Sequence, residues 1–336
     1  MNLKIKFKTI MVVFLISIVL ITSVFCLKRS IVPSVPDLSN EHLVVYSCLR
    51  GEETKSILEL FKEKTNCSYE YIQLPTQEAV SRIEDEKFSP KADIFLSGTG
   101  LSLKRLAKDN IIKRYTSPND KNISKILNGE YGNGAAFEVH PFSIVINKEI
   151  WDKKFKSKKI PLPESFEDLT NPKFKGKIAL PNPLTSGTGH SFIAYLNEAL
   201  GEKKYKNVIS KIKNNTGFLS TRGYNVVQNV ASGEYPIGVA YLSNIKLMEE
   251  TTKNLIVITP KNTGVDIHGV GIINKRDNLK ASEAFIDFIL STETQKDLKK
   301  FSKAIPVINY ENNGSETVIG NLKDADLAIS IWKNIK

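Results

Sequence analysis

Residues 185–189 read Thr-Ser-Gly-Thr-Gly, three hydroxyls interleaved with two glycines, a composition suited to surrounding an oxyanion. The run lies between a short apolar strand pattern at 178–180, stopped by Pro181 and Pro183, and the helical spacing of Ile193, Leu196 and Leu200. It therefore opens a helix. First-turn N–H groups lack intrahelical partners and carry the positive end of the macrodipole, while Gly187 and Gly189 let a ligand approach the backbone. Taken singly, the same run also reads as an ordinary capped helix after a turn.

Four other junctions repeat the pattern. A strand at 43–46 leads into Ser47, Cys48, Leu49, Arg50 and Gly51, and one at 93–96 leads into Ser97, Gly98, Thr99 and Gly100. Farther on, 217–219 precedes Ser220, Thr221, Arg222 and Gly223, and 237–240 precedes Tyr241, Leu242, Ser243 and Asn244. Ligands of open α/β sheets bind beyond the carboxyl ends of the strands, so five polar loops there predict one site. Arginine usage agrees. Arg50 and Arg222, two of seven arginines in a lysine-rich chain, stand at these strand ends, where a planar guanidinium holds phosphate or carboxylate bidentately. No lysine follows the glycines at 187 and 189 in the spacing of a nucleotide-hydrolysing loop, which points to binding without turnover.

Patterns for catalysis are missing from the sequence. His42, His140, His190 and His268 form no H-E-x-x-H pair, and neither G-x-S-x-G nor C-x-x-C occurs. The expectation is a binder, no enzyme, with no cofactor; a hydrolase built from distant residues and a surface adhesin are the competing classes.

Strands alternate with helices along the chain, which makes it α/β. Strands are expected at 43–46, 69–74 and 93–96 with helices at 54–64 and 76–86 between them, then strands at 142–147, 256–259 and 270–273 and helices at 281–290 and after Leu322. Crossings near 140–143 and 259–268 divide the chain into two α/β lobes joined by a two-segment hinge. The expected division is 41–140 with 265–315 as one lobe, 141–264 as the other, and 316–336 as a C-terminal helix. Cys48 ends one strand and Cys67 begins the next, so parallel pairing would hold them at opposite ends of the sheet as free thiols.

Lys4, Lys6 and Lys8 precede an apolar run at 10–25, which reads as a secretory leader over 1–26, followed by a tether over 27–40. Cys26 ends that run and is a candidate for lipidation, although Phe25 is bulky where a small residue is usual; a retained leader and plain cleavage are the alternatives. The folded part is expected outside the cytoplasm, in the periplasm or on the outer face of the membrane. Five of the cations behind the net charge of +11 precede the first acid, Asp37, and the remaining lysines are mixed with acids. That is a solvated monomer surface with no nucleic-acid stripe.

The segments P-E-S-F-E-D-L-T-N-P-K-F-K-G-K-I (163–178), P-N-P-L-T-S-G-T (181–188), G-E-Y-P-I-G-V-A-Y (233–241) and A-F-I-D-F-I-L-S-T-E-T-Q (284–295) occur in this order. Together they resemble the extracellular solute-binding proteins of bacterial ABC importers, over about 43–307. The chain is most similar to the subgroup of ferric-iron binding proteins and relatives that bind phosphonates or sugar phosphates. That resemblance implies a type II, two-lobed periplasmic binding protein that closes on a solute and delivers it to membrane permease subunits.

The iron-binding branch commonly has a histidine after the first strand and adjacent tyrosines after the strand at 237–240, where this chain has Arg50 and Tyr241-Leu242. A guanidinium has no lone pair for a metal. A small anionic organic solute is therefore expected, with ferric iron on Tyr241 as the alternative and otherwise no metal. The candidate ligand-binding set is Ser47, Arg50, Ser97, Gly98, Thr99, Ser143, Thr185, Ser186, Gly187, Thr188, Thr221, Arg222, Gly223, Tyr241, Asp266 and His268. Asp266 and His268 suit a ligand's hydroxyls or ammonium, while His140 and His268 also read as satisfied histidines at a lobe junction.

Overall fold

The computed structural model describes residues 36–127, 133–275, 277–308, 310–312 and 316–335. The expected leader, Cys26 and most of the tether lie outside the described residues. Leu43, Val45 and Tyr46 are buried in β1 (His42–Ser47). This strand pairs in parallel with β2 (Ser68–Gln73) and β3 (Ile94–Ser97), through the crossover helices α1 (Gly51–Thr65) and α2 (Thr76–Asp85). His42 faces Ser68 and Ser47 faces Gln73, so the register separates Cys48 from Cys67 by the length of β1, and both thiols are free. Next come α3 (Gly100–Lys108) and β4 (Ile112–Lys113).

The chain then enters β5 (Ala135–Asn147), which is longer than the expected 142–147. After it come α4 (Lys148–Lys154), β6 (Ile178–Pro181), α5 (Gly187–Leu200), α6 (Glu202–Asn215), β7 (Thr216–Ser220), α7 (Gly223–Ala231), β8 (Ile237–Tyr241), α8 (Leu242–Glu249) and β9 (Leu255–Ile258). The return strand is β10 (Gly264–Ile273), also longer than expected. The first half of β5 pairs antiparallel with β10 as far as Pro141; from Phe142 onward it pairs with β8 and β9. Proline has no N–H to donate, so it marks the place where the strand changes partners. The sheet order is β2-β1-β3-β10-β5-β8-β6-β7.

Two apolar cores form on either side of that exchange. Phe137 and Val139 of β5 enter the first, where Phe61 packs on Phe285 and Phe288, and Phe142, Ile144 and Ile146 enter the second beside Phe192 and Trp151. The first core is completed by α9 (Leu279–Ile289), α10 (Thr292–Ser302) and the short β11 (Ile305–Pro306). After β12 (Thr317–Val318), the last helix, α11 (Leu322–Asn334), returns to the second core through Ala325, Ala328 and Trp332.

One expectation at the ends changes. Leu38 is not tether: it is buried in the first core and its N–H donates to the Thr65 carbonyl at 2.6 Å. The C-terminal helix is α11, and with Ile319 it packs into the apolar cluster of α5 and α6. Among the described residues no helix is long and apolar enough to cross a membrane. Trp332→Ala should therefore cost about 3–5 kcal/mol, the range for truncating a buried large aromatic. Urea unfolding of the variant tests this, and a loss below about 1 kcal/mol would show that α11 is dispensable to the second core.

Candidate functional site

Each of the five polar loops contributes to one cavity of about 330 Å³. Cys48, Leu49 and Arg50 come from the end of β1, Gly98 from β3, Ser186, Gly187 and Thr188 from beyond β6, Thr221, Arg222 and Gly223 from β7, and Tyr241 and Asn244 from β8. The helices α1, α2, α5, α7 and α8 begin at this cavity. Ser186 caps α5, but α1, α2, α7 and α8 have no side-chain cap. Apart from the Gln77 N–H of α2, which donates to the Thr185 carbonyl, their first-turn N–H groups and dipoles thus remain available to an anion.

Two glycines permit this crowding. A Cβ on Gly223 would lie 2.4 Å from Thr188 Oγ1, and one on Gly187 would lie 2.6 Å from both Thr76 Oγ1 and Thr99 Cγ2. The first contact joins two helix starts, and the second joins segments that belong to different cores.

The charges in the cavity are unequal. Arg222 lines it, and its guanidinium has no hydrogen-bond or ion-pair partner among the described residues. Arg50 is more committed: it lies 3.3 Å from Glu53, donates to the Phe301 carbonyl and sits 5.2 Å from the centre of the Tyr224 ring. Burial and the neighbouring Glu138 carboxylate hold the Glu53 carboxyl well above the usual range, with Arg50 opposing them only in part. The raised pKa lessens the negative charge that Glu53 brings to the cavity; the other acid, Glu52, lies exposed at its edge.

Beneath the cavity the hinge strands place polar groups on one face. Glu138 and His140 are two apart on β5, Asp266 and His268 are two apart on β10, and the register sets His268 opposite Glu138 and Asp266 opposite His140. The Tyr241 hydroxyl donates to Asp266 at 2.6 Å, and burial followed by the Asp266 charge raises its pKa well above the usual value. His268 Nδ1 lies 3.2 Å from Glu138 Oε2, and His140 Nδ1 lies 2.8 Å from Ser243 Oγ. Burial pushes the Glu138 carboxyl up, but the two imidazoles outweigh it and hold the group ionised.

Of the residues expected from the sequence, Arg50, Gly98, Ser186, Gly187, Thr188, Thr221, Arg222, Gly223, Tyr241 and His268 line the cavity. The others do not. Ser47 is buried against Thr54, Ser97 against Ser102, and Ser143 against Thr259, while Thr99 caps α3. The Thr185 carbonyl accepts from the Gln77 N–H, and Asp266 stands behind Tyr241. Ser47, Ser97 and Thr99 are used up in stabilising turns at strand ends, whereas Thr185 Oγ1 is buried without a hydrogen-bond partner. Sequence reasoning missed Glu53, Gln73, Tyr224, Asn225, Gln228 and Asn244 on the wall and Glu138 beneath it. The spacing of Tyr224, Asn225 and Gln228 just after a strand end was the readable signal, since residues three or four apart share one helix face.

Opposite sides of the cleft also meet at Gln77 Nε2 and His190 Nδ1, 2.9 Å apart. Burial lowers the His190 pKa to about 4. An unfolded histidine titrates near 6.5, so the neutral ring favours folding above that pH, and its contribution is lost as pH falls from about 6.5 to 4. Because the ring keeps partial access to solvent, the expected loss is about 1–2 kcal/mol. His190→Gln should flatten this part of the stability–pH curve in urea titrations; a curve parallel to wild type would refute the assignment.

A model of the family described as bacterial extracellular solute-binding protein matches residues 89–321. An uncharacterized protein of Haemophilus influenzae is 25% identical over 264 residues, covering 76% of this chain and 74% of that one. The structure of the periplasmic binding protein AfuA of Actinobacillus pleuropneumoniae, with exogenous fructose-6-phosphate bound, has a TM-score of 0.79 at 23% identity and covers 87% of this chain and 97% of that one. Iron-bound HitA of Pseudomonas aeruginosa has a TM-score of 0.76 at 18% identity and covers 88% and 99%. At these identities the two structures establish the fold alone, two α/β lobes as in periplasmic binding proteins. The matched segment includes both hinge strands and four of the five loops, and the chain belongs to the bacterial extracellular solute-binding proteins, which bind a small solute for delivery to an ABC permease.

Proposed function

We propose that this protein captures a small organic anion, a phosphate or phosphonate ester, between its lobes and passes it to the permease of an ABC importer. The observation that carries the reading is Arg222, on the cavity wall and adjoining the starts of α5 and α7, whose guanidinium has no partner among the described residues. Phosphate oxygens would take the Arg222 fork, the Thr188 hydroxyl and the uncapped N–H groups. The organic part would lie toward Gln73, Tyr224, Asn225 and Gln228, which offer a ring face and amides.

Ferric iron is the competing solute, since iron-bound HitA shares the fold. Two features favour the ester. The Tyr241 hydroxyl is committed to Asp266 and held as a phenol, so it presents no ready phenolate. The cavity also has room for about ten waters at roughly 30 Å³ each, more than one ion needs.

The folded body belongs outside the cytoplasm, held to the membrane by its leader or by a lipid on Cys26. Cys26→Ala should release the protein from membranes if the lipid is the anchor, and unchanged membrane association would assign that role to an uncleaved leader.

Calorimetry with phosphorylated sugars, phosphonates and ferric iron tests the solute. Arg222→Ala should remove a charge-assisted contact of about 1.5–3 kcal/mol, a loss of roughly ten- to a hundredfold in ester affinity, and Arg222→Lys should restore part of it. Arg50→Ala should also weaken binding, whereas Tyr241→Phe should bind the ester nearly as wild type does. Tight ferric binding with a tyrosinate colour that Tyr241→Phe abolishes, together with indifference to Arg222→Ala, would overturn the proposal in favour of iron.

A further inference from the structure

Glu138, His140 and His268 each offer a donor atom, and these atoms lie within 4.8 Å of one another on the hinge. The side chains are 1%, 3% and 9% exposed. Both imidazoles converge on one oxygen: Glu138 Oε2 is 3.2 Å from His268 Nδ1 and 3.4 Å from His140 Nε2. Donors about 2.0–2.1 Å from a tetrahedral ion stand about 3.3 Å apart, so these two edges already have the length a zinc-type ion requires.

The hydrogen bonding leaves the same place unfilled. His140 Nδ1 is occupied by Ser243 Oγ at 2.8 Å, and the buried Nε2 has no hydrogen-bond partner. When His140 donates from Nδ1 to Ser243, its Nε2 lone pair faces a carboxylate oxygen at 3.4 Å, and that tautomer opens the space between them to a cation. A hydroxyl fixing the far nitrogen of a histidine is the usual outer support of a metal ligand.

We propose that Glu138, His140 and His268 hold one divalent transition-metal ion of the zinc type at the junction of the two hinge strands. Two imidazoles and a carboxylate suit zinc or cobalt(II) better than calcium or magnesium, which prefer all-oxygen shells. Three protein donors leave a fourth position, and His268, which lines the cavity, sets that position at the cavity floor for a water or an oxygen of the solute. This ion is distinct from a ferric cargo on Tyr241, whose hydroxyl is engaged by Asp266. The site does not depend on the solute being an anion.

The full-length protein, stripped with a chelator, would be dialysed against zinc(II) or cobalt(II) without solute, followed by metal analysis and visible spectroscopy. Wild type should retain one ion per chain, and cobalt should give the absorption of a four- or five-coordinate site with histidine ligands. Glu138→Gln should abolish retention while keeping the wild-type circular dichroism. Ser243→Ala, which touches no ion, should weaken zinc binding by about 10–100-fold, with recovery in Ser243→Thr. Zinc should also raise the melting temperature of wild type but not of Glu138→Gln, which keeps the result readable if the variant is less stable. Equal retention by wild type and a folded Glu138→Gln, or retention that disappears on replacing the exposed His42, would overturn the proposal. Failure of wild type to retain either metal would identify the cation between His140 and Glu138 as a proton and would overturn it too.

Discussion

The antiparallel pairing of β5 with β10 is the constraint on which the rest of the molecule depends. One face of this ribbon carries Phe137, Val139 and Ile267 into the first core. The other carries Glu138, His140, Asp266 and His268 toward the cavity. Such a strand pair is stable only if the polar face finds partners within the protein, because an unsatisfied buried polar group costs about 1–3 kcal/mol. Ser243, Tyr241 and the mutual contacts of the four groups supply most of those partners. The same strands carry the chain between the cores, so the ribbon that divides the lobes also forms the floor between them.

Above that floor, electropositive character comes chiefly from backbone. Five helices begin at the cavity, four without a side-chain cap, and an anion is the natural partner for such a set of orphan N–H groups. Acidic side chains nearby would cancel the effect. Burial limits this by raising the Glu53 pKa, and exposure places Glu52 in high dielectric. Arg222 then remains without an ion-pair partner among the described residues, whereas Arg50 lies against Glu53 and the Phe301 carbonyl.

Much of the alternation of strands and helices was legible because β1, β3, β6 and β8 are short apolar runs ended by polar or proline-containing loops. Convergence of the loops followed from the general geometry of α/β sheets. The hinge strands were legible only in part. Their first halves, with Glu138 and His140 in one and Asp266 and His268 in the other, carry charged or titratable side chains at alternate positions that read as exposed until each is seen to face the other. Leu38 was lost to a tether because a single apolar residue among prolines and polar groups gives no period. Site residues at the strand ends were overcounted for a related reason. Serine and threonine serve turns and ligands equally well, and sequence does not tell which task Ser47, Ser97 or Thr99 performs.

The contacts across the cleft follow from the same economy of groups. The Gln77 N–H meets the Thr185 carbonyl at 3.4 Å, the Gln77 amide meets His190, and Lys303 meets Glu250 at 2.6 Å. Each is small, and a surface ion pair contributes about 0–1 kcal/mol. Such margins suit a hinged binder, because contacts that held the lobes together without solute would oppose its release. Under the proposed reading, a solute bridging Arg222 and Thr188 of one lobe to the start of α1 in the other would add charge-assisted hydrogen bonds that exist only when the lobes are together. Capture then depends on the ligand's own bonds rather than on a preformed latch, and the polar hinge beneath preserves its pairing while the walls move.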